Sequence, residues 1–129
     1  MSAEENKEVV LSFIENLGNA KWDACAALMA SDAKWWVAGT IELSGTLAPK
    51  EIFAALEEMN GLLEKPLKLE PTTVTAEADR VAVEADAKGK TKTGKIYDNP
   101  HNILFECRDA KIQTVREYFD THHAVETFG

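Results

Sequence analysis

The chain has 129 residues, enough for one domain that builds its own core without disulfide or metal staples. Its 45% hydrophobic and 28% charged residues give the balance of a globular protein, and a net charge of −8 argues against nucleic acid, whose recognition leaves a basic footprint. No apolar run is long enough to span a bilayer and the start, MSAEENKE, is acidic and polar, so a cytoplasmic protein that engages neither membrane nor nucleic acid is expected.

Ser2 and Glu5 form a capping box, in which hydroxyl and carboxylate each satisfy a free backbone N–H at a helix start. Val9, Val10, Phe13, Ile14 and Leu17 then make one apolar stripe, and Gly18 is a stop. Trp22, Cys25, Ala26 and Met29 predict a second helix. The stretch AKWWVAGTIELSG reads as a short strand and a loop, where Trp35 shares parity with Ala33 and Val37. Trp35 is therefore expected in the core first and in a pocket wall second. Pro49, whose missing N–H costs nothing at a first helical turn, opens a third helix presenting Ile52, Phe53, Leu56 and Met59. Cys25 and Cys107 show no CxxC spacing and read as buried thiols.

After Pro66 the period changes. LEPTTVTAEADRVAVEADAKG alternates and is rich in β-branched residues, with EADR as a turn. The basic stretch KGKTKTGK reads as a solvated hairpin loop. KIYDNPHNILFEC and KIQTVREYF are two further strands joined at RDAK. Helices followed by consecutive antiparallel strands predict a single α+β domain over residues 1–129, with helices on one face of a curved sheet.

If Asp109 and Ala110 are a two-residue hairpin loop, Arg108 pairs with Lys111. The register then places Phe105 opposite Thr114, Ile103 opposite Arg116, His101 opposite Tyr118 and Asn99 opposite Asp120. Opposed residues share a face, with Cβ atoms about 5 Å apart. Tyr97, Asn99, His101, Tyr118 and Asp120 would thus gather at one end of one face, beside apolar Ile103 and Phe105, as a small-molecule site requires. A bulge would shift this register and regroup the residues. Leu104, Val115 and Phe119 would make the opposite face apolar too, which marks it as a dimer surface.

VREYFDT following RDAKI, together with SDAKWWVAG and LSGTLAPKEIFAAL, resembles the SnoaL-like branch of the NTF2-like superfamily. That branch includes polyketide cyclases and limonene-epoxide hydrolases, with ketosteroid isomerase more distant. The resemblance covers almost the whole chain. It implies a cone, of the cystatin-like or NTF2-like kind, in which a bent sheet wraps around helices and leaves a pocket inside, and a homodimer through the outer sheet face. It further implies that Asp120 projects into the pocket and does acid–base work. The Arg-x-Asp of the epoxide hydrolases matches VEADAK, with Asp86 aligned and Glu84 in place of the arginine. Their water-holding tyrosine and asparagine fall near Ala38 and Thr40, which cannot hold a water in that way. Strand alternation gives a different placement for Asp86: Val81, Val83 and Ala85 face the core and leave Glu84 and Asp86 in solvent.

The expected site therefore has Asp120 and His101 as acid–base groups and Trp35, Asp86, Tyr97, Asn99 and Tyr118 as binding groups. Its ligand is a small, mostly apolar molecule, and the chemistry is isomerisation, cyclisation or hydration without a cofactor. Against it stand a solvated or helix-capping Asp120, a core His101 bonded to a tyrosine, and a non-catalytic binding or association module of the same fold. No metal is expected: His122 and His123 diverge on extended backbone, and no HxH or HxxxH spacing is present.

Overall fold

The computed structural model describes residues 2–129. Helix α1 spans Ala3–Gly18 and begins at the expected capping box, with Ser2 Oγ accepting from the Glu5 N–H at 3.1 Å. Its stripe of Val10, Phe13 and Ile14 is fully buried. Helix α2, Trp22–Ala27, is one residue pair shorter than expected, because Met29 already belongs to strand β1, Met29–Val37. A short strand β2, Gly45–Leu47, leads into α3, Pro49–Gly61, where Glu51 accepts from the Ala48 N–H at 2.9 Å in half of a capping box. Strands β3 (Lys68–Glu77), β4 (Arg80–Lys90), β5 (Ile96–Arg108) and β6 (Lys111–Phe119) follow, and a closing helix α4 spans Thr121–Phe128. The sequence reading had no counterpart for α4.

All six strands form one sheet in the order β2-β1-β6-β5-β4-β3. The expectation of a wholly antiparallel sheet is corrected at one seam, since β1 runs parallel to β6. That seam brings the Trp35 strand beside the last strand. The helices pack on one face, with α1 against β3 and β4 and α3 against β1. Between them the core is aromatic: Phe13 meets Trp35 at 5.9 Å and Phe105 at 5.8 Å, and Trp35 meets Phe53 edge-on at 6.2 Å. Such tilted pairs add a little beyond the area they bury. No described helix is long and apolar enough to cross a membrane.

Val81, Val83 and Ala85 lie in this core, as alternation requires, and Glu84 is exposed on the other face. The resemblance-based placement of Asp86 inside the cone is thereby corrected. The hairpin loop is as expected: Arg108 pairs with Lys111, and Asp109 and Ala110 take φ 52° and 64°. The register beyond it is not. Cys107 pairs with Ile112 but Glu106 pairs with Thr114, so Gln113 is an extra residue on β6. The cause is packing: Ile112 and Val115 are both buried although three residues apart, and a period of two cannot bury both without a bulge.

Candidate functional site

The bulge turns over the far half of β6. Ile103 stands opposite Glu117 and His101 opposite Phe119, in place of Arg116 and Tyr118. Glu117 therefore shares the inner face with His101 and Ile103, while Tyr118 goes to the outer face, where it is 40% exposed.

On the inner face a continuous polar chain crosses three strands. Glu117 Oε1 accepts from the indole N–H of Trp35 at 3.1 Å, and Oε2 lies 2.7 Å from His101 Nδ1. His101 Nε2 is 3.0 Å from the Tyr97 hydroxyl. That hydroxyl accepts from Asn99 Nδ2 at 2.9 Å. Asn99 also holds the backbone of Asp120 from both sides, donating to its carbonyl at 2.9 Å and accepting from its N–H at 3.2 Å. Because the Tyr97 oxygen already accepts from Asn99, its own proton points to His101 Nε2. In that assignment Nε2 is the acceptor and the imidazole proton lies on Nδ1, directed at Glu117. Burial pushes the Tyr97 phenol well above its ordinary range, with the nearby Glu117 and Asp120 charges acting the same way and the Asn99 bond opposing them. Tyr97 thus remains a donor.

The positions follow from strand alternation. Tyr97, Asn99 and His101 are successive inward residues of β5, whose outward residues Asp98, Pro100 and Asn102 are exposed. Trp35 is buried on β1 and reaches Glu117 across the parallel seam. The side chains of His101 and Glu117 retain 8% and 16% of their exposure, so the pair is shielded but not sealed.

The structure thus brings four of the expected site residues together, Trp35, Tyr97, Asn99 and His101, and adds Glu117. The sequence reading missed Glu117 because the unbulged register put it on the opposite face. Asp120 does not face the interior. It is exposed, and its Oδ1 accepts from the His123 N–H at 3.1 Å as the N-cap of α4. Asp86 and Tyr118 sit with Glu84 and Asp120 around an open depression of about 430 Å³ on the outer side of the sheet. A second depression of about 410 Å³ lies along the same side beside Arg80, Ala82 and Leu104. Both depressions open on the sheet's outer side, while the polar chain lies on its inner side and meets the first of them only at His101. Among the described residues no cluster of three His, Cys, Asp or Glu side chains is arranged to hold a metal ion.

Comparison with known proteins fits this architecture. The SnoaL-like domain family matches residues 10–115. No curated protein matches the chain significantly. Among solved structures, Bal32a, from a soil-derived mobile gene cassette, superposes with a TM-score of 0.87 at 23% identity, over 98% of each chain. An NTF2-like protein from Burkholderia xenovorans LB400 gives a TM-score of 0.81 at 25% identity, over 100% of this chain and 99% of that one. A Catenulispora acidiphila protein with a ketosteroid isomerase-like fold, solved with trimethylamine, gives 0.77 at 17% identity, covering 93% and 91%. The inward polar chain is thus carried on a widely used cone-shaped scaffold, and the chain belongs to the SnoaL-like domain family of NTF2-like fold.

Proposed function

We propose that this protein binds a small, mostly apolar molecule inside the cone and moves a proton on it without a cofactor. Isomerisation, cyclisation and hydration are the reactions of that kind. The observation that carries the reading is the Glu117–His101 contact of 2.7 Å on a face otherwise lined by Trp35, Ile103 and Phe105. A carboxylate fixed by an indole N–H and an imidazole N–H is oriented before the ligand arrives, which is what general acid–base catalysis needs. Glu117 is the group we assign to proton abstraction, with His101 and Tyr97 as the relay behind it. Asp120 has a structural part at the head of α4.

A second reading has its own support. Each polar side-chain atom in the chain from Trp35 to Asn99 already has a partner, as expected of a network that only specifies the core. In that case the protein holds a ligand, or a second copy, and catalyses nothing. Either way we propose a homodimer through the outer sheet face, where Arg116 stacks on Trp36 at 4.2 Å beside the exposed Tyr118. We place it in the cytoplasm, where the two unpaired cysteines suit a reducing compartment.

The test is solvent deuterium exchange into a panel of small apolar ketones, followed by NMR. Exchange catalysed by the wild type should fall about a hundredfold or more in Glu117→Gln and persist in Asp120→Asn. Exchange that survives Glu117→Gln defeats the acid–base reading and leaves the binding module.

A further inference from the structure

Both ring nitrogens of His101 are taken up within the protein, although the residue borders the open depression. Nδ1 is engaged by Glu117 and Nε2 by Tyr97, so the relay is closed at both ends. For His101 to meet a ligand, Tyr97 must leave Nε2. What holds Tyr97 in place is α4.

The tyrosine ring lies under that helix. His123 stacks on it, with ring centres 5.2 Å apart and planes 12° apart, and Phe128 packs beside it at 5.0 Å. The same His123 accepts the Asp98 N–H through Nε2 at 3.1 Å, and Lys95 Nζ donates to the Glu126 carbonyl at 3.1 Å. Three of these contacts fall on Tyr97 and Asp98 at the start of β5, and the fourth on Lys95 just before it. Tyr97 is only 3% exposed, although it is the second residue of its strand.

The helix itself is weakly held. It has eight residues, far fewer than an isolated helix needs in water, so its stability comes from what it docks on. Its only buried residue is Thr127, and Val125 points outward at 48% exposure. Few buried apolar contacts mark a segment that opens locally, well below the cost of global unfolding. The hinge end is firmer: Asp120 caps the first turn, and Asn99 grips its backbone on both sides.

From this we infer that α4 is a hinged cover over the interior site, which swings about Asp120 to free Tyr97 and expose His101 Nε2 to the ligand. The arrangement seen is the closed state. With the cover open, Asn99 remains clasped to Asp120 while Tyr97 loses the two rings that pin it and can rotate away from the imidazole. This rests on the reading of His101 and Glu117 as the reacting groups, but access to His101 can be measured without any substrate.

Diethyl pyrocarbonate acylates an accessible neutral imidazole nitrogen, and peptide mass spectrometry assigns the modified residue. In the wild type His101 should react at least tenfold more slowly than exposed His122. Replacing His123 and Phe128 together by alanine should raise the His101 rate about tenfold, while Val125→Ala, on the outer side of the same helix, should leave it unchanged. A His101 rate unmoved in the folded double variant overturns the cover. Hydrogen exchange on the wild type supplies the second measurement. The α4 amides should exchange at least a hundredfold faster than those of β5 and β6, and exchange of all three together, through global unfolding alone, overturns the proposal as well. If the cover opens as described but His101→Gln leaves ketone exchange intact, the cover stands and the acid–base reading falls.

Discussion

Glu117 stands opposite Ile103 in the β5–β6 ladder, and from there its carboxylate reaches His101 at 2.7 Å. One extra residue, Gln113, puts it there. Without that bulge the same strand would present Arg116 and Tyr118 to the interior and turn Glu117 outward. Deleting Gln113 should therefore reverse Val115, Glu117 and Phe119 at once. The expected result is loss of cooperative thermal unfolding, and a deletion variant that still melts sharply near the wild-type temperature would speak against the bulge.

Removing the carboxylate tests the inner network as a stability element. Glu117→Ala leaves the Trp35 indole N–H and His101 Nδ1 without their acceptor in a shielded site. A loss of about 3 kcal/mol in urea unfolding is expected, of the size seen when one partner of a buried pair is deleted. Asp120→Ala should cost only about 1 kcal/mol, since it loses a single exposed cap. Equal losses would contradict the different settings of the two acids.

The β5–β6 turn offers a gain. Asp109 and Ala110 both occupy left-handed backbone, at φ 52° and 64°, where an alanine Cβ is crowded and glycine is at ease. Ala110→Gly should raise stability by about 1 kcal/mol, read as a higher denaturant midpoint with an unchanged slope. No change in midpoint would mean the turn is relaxed by other contacts.

Alkaline pH tests the burial of Tyr97 and of the thiols. An unfolded phenol titrates near 10, whereas burial holds the folded Tyr97 phenol protonated to higher pH. Above about pH 10 the unfolded chain then carries fewer protons than the folded one, so stability falls as pH rises through that range. Tyr97→Phe should flatten this part of the profile. Burial likewise pushes the Cys25 thiol to about 11 and raises Cys107, whose burial is joined by the Asp79 charge. The loss between about pH 8.5, where an unfolded thiol titrates, and 11 should therefore remain in the variant. A Tyr97→Phe profile identical to wild type above pH 10 would show that the phenol is not shielded.

Much of the fold was legible because local chemistry and burial agree along most of the chain. The capping box at Ser2, the proline at α3 and the two-residue loop at Asp109 and Ala110 each act within a few residues. The site was half legible for the same reason: Tyr97, Asn99 and His101 share one parity on a regular strand. Glu117 was hidden because β6 breaks its own alternation, and the sign of that break was the pair Ile112 and Val115, two apolar residues at an odd spacing. The helix α4 was hidden because THHAVETF has no apolar stripe to announce it. Asp120 followed by His123 was a cap in sequence as it is in structure, but only the docking on Tyr97 makes eight such residues helical.

The most direct test of the central claim, that Glu117 and Tyr97 between them hold His101, is nitrogen-15 NMR of the histidine rings near neutral pH. The account predicts that His101 carries its proton on Nδ1 and leaves Nε2 as the acceptor of the Tyr97 hydroxyl. Tyr97→Phe should then shift the Nε2 resonance, and Asp120→Asn should move neither nitrogen. A His101 proton on Nε2, or ring resonances that respond to Asp120 and not to Tyr97, would contradict it.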